Sequence, residues 1–165
     1  MLNSKVLKTD NFILRELNHS DIDDIFAICN QIEIKYIIPG FFVTSVQDVN
    51  HIFTLGNFDK SILLGIENND KKIIGLIYAY INNTFDFAKI TYLLDETQRG
   101  NNIMSKALKL FIEYLYTNKI VNYIQFDVRV SNKASIRIMN KLKIPYNSDE
   151  DCLIFQLSLT EKLPF

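Results

Sequence analysis

The chain has 165 residues and 48% hydrophobic positions, enough for one domain with a sizeable core. Lys and Arg number 18 against 19 Asp and Glu, so the net charge is −1, which argues against a general phosphate-backbone binder while leaving room for a small local basic patch. Two cysteines make neither a metal cluster nor a disulfide framework, and no apolar run reaches the ~20 residues of a bilayer span, so a cytoplasmic setting is expected. The N-terminus also lacks a signal-peptide pattern.

Asn11–Leu17 alternates and predicts a first strand. Ser20 with Asp23 has the form of a capping box and predicts a helix to about Asn30, with Ile22, Ile25, Phe26 and Cys29 on one face. Gln31–Val43 reads as a loop or a broken short helix. Ser45 with Asp48 repeats the capping pattern ahead of a second helix to about Leu55. Ser61–Glu67, Lys72–Ile81 and Thr84–Leu94 predict the strands of a meander, turned at Asn68-Asn69-Asp70 and at Asn82-Asn83. Ile103, Ala107, Leu108, Phe111 and Leu115 recur at helical spacing to about Thr117. Val121–Val130 follows as a strand, Asn132–Leu142 as a helix and Cys152–Leu159 as a closing strand. The predicted order is β-α-α-β-β-β-α-β-α-β. It implies a mixed α/β fold whose central, mostly antiparallel sheet is flanked by helices on both faces. No linker interrupts it, so 1–165 is expected to be a single domain.

Two stretches carry chemistry. In Thr91–Leu108 a strand ends, a polar loop turns at Gly100 and a helix begins. Helix N-termini hold free N–H donors and partial positive charge, and pyrophosphate suits them. Arg99 and Lys106 could add charge. A plain loop with Gly100 as its turn residue fits the same residues. In Ser131–Leu142, Asn132 caps a helix and Ser135 lies one turn in, which also suits an ordinary capped amphipathic helix.

Taken together, at this spacing and in this strand order, the stretches resemble the GNAT superfamily of N-acetyltransferases. The family's Gln/Arg-x-x-Gly-x-Gly/Ala loop reads here Thr97-Gln98-Arg99-Gly100-Asn101-Asn102. Its later Asn-x-x-Ser-x-Arg-x-x-x-Lys-Leu motif reads Asn132, Ser135, Arg137, Lys141 and Leu142, without the closing Gly-Phe. The opening Asn11–Leu17 is similar as well. The branch it looks most like is that of the ribosomal-protein-alanine acetyltransferases.

The resemblance implies acetyl-CoA as cosubstrate and no metal. Backbone groups of Leu93 and Leu94 would pair with the pantetheine arm at a strand splay. Gln98, Arg99, Gly100, Asn101, Asn102, Ile103, Met104 and Ser105 would hold the pyrophosphate, and Asn132 and Ser135 would meet the arm. Leu94 N–H would polarise the thioester carbonyl. Many relatives have a Glu where Lys89 stands and a Tyr where Met139 stands, so Ser135 and Tyr92 are the acid candidates left. Glu33, Asp86 and Asp127 are the base candidates. Glu33, Tyr36 and Phe41 are candidate acceptor contacts. The implied activity is acetyl transfer to a primary amine: a protein N-terminus, a polyamine or a small metabolite. The alternative is an acyl-CoA-binding module with little or no transferase activity. Neither nucleic acid nor membrane is expected as a partner, and the chain is expected as a monomer or homodimer.

Overall fold

The computed structural model describes residues 7–57, 61–82, 84 and 86–165. The alternation read at the start folds as β2 (Phe12–Glu16), with Phe12 and Leu14 buried. A strand too short for periodicity to reveal, β1 (Leu7–Lys8), pairs antiparallel with it. The first cap lies two residues ahead of the predicted Ser20. Asn18 Oδ1 accepts the Ser20 N–H at 2.9 Å, and Asp21 Oδ2 accepts the Asn18 N–H at 2.8 Å. Asp21 closes the box because Arg15 already anchors it, and a 3-10 turn, His19–Asp21, then feeds α1 (Ile22–Cys29).

The segment after α1 is a broken helix, α2 (Ile32–Ile37) and a 3-10 turn over Pro39–Phe41. The second cap forms as predicted, with Ser45 Oγ accepting the Asp48 N–H at 3.3 Å and Asp48 Oδ2 accepting the Ser45 N–H at 2.9 Å. It opens a short 3-10 turn and then α3 (Val49–Asn57). The meander strands are β3 (Ser61–Asn68), β4 (Ile73–Asn82) and β5 (Phe87–Leu94). β5 begins three residues later than predicted. Asp86, at φ +53°, belongs to the turn, where its carbonyl accepts the N–H groups of Asn122 and Tyr123 at 3.1 and 3.2 Å. Asn83 of the expected hairpin lies outside the described residues.

The remaining elements are α4 (Ile103–Thr117), β6 (Tyr123–Arg129), α5 (Lys133–Lys141), β7 (Tyr146–Asp149) and β8 (Cys152–Ser158). β7 escaped prediction because all four of its residues are exposed, so no alternation marks it. The strands form an eight-stranded sheet in the order β1-β2-β3-β4-β5-β6-β8-β7, with β1 and β7 at its edges. β5 and β6 pair in parallel, and β2–β3, β6–β8 and β7–β8 in antiparallel. This is the mixed sheet with helices expected from the element order.

The chain divides into two compact units, each discontinuous in sequence: 1–78 with 92–101, and 79–91 with 102–165. The first is built around Ile25, Ile28 and Cys29 of α1, Phe41, Ile52 of α3, Leu76 of β4 and Leu93 of β5. In the second, α4 buries Met104, Ala107, Leu108, Phe111, Ile112 and Leu115, a stripe at helical spacing. Full burial of a side chain such as Phe111 contributes about 2 kcal/mol.

Candidate functional site

β5 ends at Leu94, and a loop follows through a 3-10 turn over Glu96–Gln98, which Asp95 caps by accepting the Thr97 N–H at 2.8 Å. The loop then unwinds. Arg99 is extended, Gly100 sits at φ +86° and Asn102 at φ +58°. Two left-handed residues within three turn the backbone so that successive N–H groups lose their local acceptors. Among the described residues, no protein acceptor takes the N–H of Gly100, Asn101, Asn102, Ile103 or Met104; the first bond of α4 runs from Lys106 N–H to Asn102 O at 3.1 Å. Asn102 does not cap its own helix. Its Oδ1 instead accepts from Lys141 Nζ at 2.8 Å, joining the start of α4 to the end of α5. A run of open donors beside a Gly without a Cβ can accommodate a polyanion.

Upstream, β5 and β6 pair in parallel through Phe87–Tyr123, Ala88–Ile124 and Lys89–Gln125. Both strands continue, β5 to Leu94 and β6 to Arg129, beyond the last of these pairs. On the exposed face at that point, Lys89 Nζ lies 2.5 Å from Asp127 Oδ2, and Gln125 Nε2 donates to Asp127 Oδ1 at 2.7 Å. Asp127, a candidate base, is thus an ion-pair partner. Gly75 of β4 is a feature the sequence reading passed over. A Cβ there would meet Leu93 O at 2.7 Å and Leu94 Cδ1 at 3.1 Å. Glycine lets the end of β5, Leu93 and Leu94, lie close against β4; a lone Gly inside a strand pattern was the available signal.

On α5, Asn132 Oδ1 accepts the Ser135 N–H at 3.1 Å, the cap expected of it. Ser135 is half-buried, and Met139 below it is fully buried. Tyr92 is half-buried. Ser105 is buried, its hydroxyl donating to Asn102 O at 3.0 Å, which places it inside the helix start.

The acceptor-side candidates separate. Tyr36 is 64% exposed, whereas Phe41 is only 5% exposed and meets Tyr78 edge-on with ring centroids 5.9 Å apart. Phe41 is a core residue of the first unit. Glu33 Oε2 lies 2.6 Å from Arg99 Nη1. Asp86 spends its carboxylate on Asn122, whose backbone N–H and side-chain Nδ2 both donate to it. The exposed imidazole of His51 lies between Asp48 O and Gly40 O, within hydrogen-bond reach of both. Burial pushes the Cys29 thiol up to about 12, which leaves it no nucleophilic character.

A family model described as "Acetyltransferase (GNAT) domain" matches residues 11–144. The chain belongs to this acetyltransferase family. It is 28% identical over 75 residues to the probable N-acetyltransferase YjcK of Bacillus subtilis (strain 168), a match spanning 44% of this chain and 41% of that protein. The structure of the ribosomal-protein-S5-alanine acetyltransferase from Vibrio fischeri superposes with a TM-score of 0.79 at 17% identity, over 95% of this chain and 98% of that one. The spermidine N-acetyltransferase from Vibrio cholerae, solved with CoA and spermine, does so with a TM-score of 0.81 at 15% identity, over 92% and 98%. At these identities the likeness to both structures is one of fold.

Proposed function

We propose that the chain is an acetyl-CoA-dependent N-acetyltransferase acting on a primary amine. The observation that carries this reading is the run of N–H groups from Gly100 to Met104 that have no protein acceptor among the described residues, in a loop with two left-handed residues. Gln98 through Ser105 would hold the pyrophosphate, with Arg99 adding charge. The backbone of Leu93 and Leu94 would meet the amides of the pantetheine arm, as would Asn132 and Ser135. Acetyl-CoA supplies an activated thioester, open to direct attack by a neutral amine in a ternary complex. Leu94 N–H would polarise the acyl carbonyl. The Ser135 hydroxyl has no hydrogen-bond partner among the described residues, which suits a proton donor; Tyr92 is the second candidate. In this reading residues 1–165 act as one domain.

The acceptor is a protein N-terminus, a polyamine or a small metabolite. The named activities of the two fold relatives, on a ribosomal-protein alanine and on spermidine, support that range. Glu33 and the exposed Tyr36 remain its candidate contacts. We place the enzyme in the cytoplasm, as a monomer or homodimer, away from nucleic acid and membranes. Among the described residues no helix is long and apolar enough to cross a bilayer. One observation favours a second reading, a CoA-binding module without turnover: Lys89 is held in an ion pair and Met139 is fully buried, at the two positions where the resemblance implies a base and an acid.

Thermal unfolding with acetyl-CoA, desulfo-CoA and ATP tests the cofactor. Ligand at about 100 times its dissociation constant adds about 2.7 kcal/mol, a readable rise in Tm. Both CoA forms should raise Tm and ATP should not. Gly100→Glu, which sets a carboxylate at a φ of +86°, should abolish the rise in a folded protein; an unchanged rise would defeat the loop assignment. Thiol release with an amine panel then separates transferase from binding module.

A further inference from the structure

Resting on the cofactor reading above, we propose that Glu33 is a built-in competitor for Arg99, displaced when the diphosphate of CoA enters the loop. Arg99 is the only cation in the sequence from Asp95 to Ser105. Lys106 follows that run and Lys141 Nζ donates to Asn102 Oδ1 at 2.8 Å, while Arg99, the cation within the loop itself, is already held by Glu33 at 2.6 Å. The contact is not isolated. Gln31 Nε2 donates to Asp95 Oδ2 at 3.1 Å, so residues on both sides of the 3-10 turn, Asp95 and Arg99, are tied to Gln31 and Glu33 at the start of α2. The seam is built to open. The Arg99 and Glu33 side chains are 40% and 50% exposed, and an ion pair so exposed changes an equilibrium by a factor of about two to five. Gln31 Oε1 is buried with no hydrogen-bond partner among the described residues, an acceptor the closed seam leaves unmet.

A diphosphate offers Arg99 more charge than one carboxylate, in the two-pronged geometry a guanidinium prefers. Its entry exchanges Arg99–Glu33 for Arg99–phosphate. Glu33 is then a positioning residue: it sets the rest orientation of Arg99 and lowers affinity for CoA. Once released, its carboxylate stands on the first turn of α2 beside the exposed Ile32 and Tyr36, able to take an ammonium group. Cofactor binding thereby uncovers a carboxylate for a cationic acceptor.

Calorimetric titration of CoA into the wild type, Glu33→Gln, Arg99→Gln and the double variant tests this. Glu33→Gln should tighten CoA about two- to fivefold, and Arg99→Gln should weaken it. The double variant should match Arg99→Gln, because Glu33 acts only through Arg99. Glu33→Asp, which keeps the charge on a shorter stem, should restore part of the wild-type affinity. Tightening by Glu33→Gln that persists without Arg99 would mean bulk charge and overturn the exchange. So would a Glu33→Gln affinity equal to that of a CoA-binding wild type. A wild type that does not bind CoA would instead remove the cofactor reading, and this inference with it. Both side chains are half in solvent, so the variants should keep the wild-type Tm, which a melt without ligand verifies.

Discussion

Asn102 occupies a backbone conformation that an ordinary L-residue adopts at a cost of about 1–2 kcal/mol. Asparagine pays less there, and here its side chain has a second occupation, accepting from Lys141. Asn102→Ala should therefore lose about 1 kcal/mol in urea unfolding, while Asn102→Gly should stay near the wild type, since glycine takes positive φ without strain. Equal losses in both would assign the stability to the Lys141 bond and not to the backbone. Ser135 poses a different question. Its amide is engaged by Asn132 while its hydroxyl is open, so Ser135→Ala leaves the cap intact. If the hydroxyl delivers the proton to the leaving thiolate, kcat should fall about 100-fold, well beyond any loss of affinity for acetyl-CoA. Equal rates would reject that role and leave Tyr92 to be tested.

Between elements, an ion-pair cluster joins β2, the turn before α1, and β3. Arg15 on β2 makes paired bonds to both oxygens of Asp21 at 2.8 Å and a third to Glu67 of β3 at 2.5 Å. Burial is the largest influence on each carboxyl and pushes both up. Bonds from Arg15, with the Asn18 N–H at Asp21 and Lys71 at Glu67, outweigh it and hold both below the usual carboxylate range. A carboxyl whose pKa is lower in the folded state stabilises the fold above its unfolded value, and that stabilisation fades as pH falls through the folded one. Arg15→Met leaves two buried carboxylates without their cation and should cost about 3 kcal/mol at pH 7. The gap between wild type and variant should narrow from about pH 5 downward as both carboxyls protonate. Urea unfolding from pH 7 to pH 3 measures it; a gap independent of pH would show that packing, not charge, was lost.

For the whole molecule, what could be read from the residues was local in sequence. The Ser45–Asp48 cap, the stripe of α4 and the Asn132 cap depend on neighbours within about a turn, and all three stand as expected. What escaped joins residues far apart in the chain: Glu33 to Arg99 across 66 positions, Arg15 to Glu67 across 52, Asn102 to Lys141 across 39. No periodicity encodes such pairs, since each depends on where the sheet carries its partner. The burial of Phe41 was illegible for the same reason: an aromatic beside a loop reads alike whether it faces solvent or core. The sheet edges have a consequence of another kind. An edge strand with unpaired amides is a template for other chains, and long flat edges invite fibrils. Here β7 offers four residues, polar after Tyr146 and running into Asp149-Glu150-Asp151, where a second copy would bring like charge against like. Concentrated solutions of this near-neutral protein should thereby resist strand-to-strand aggregation through the β7 rim, where net charge alone offers little colloidal protection.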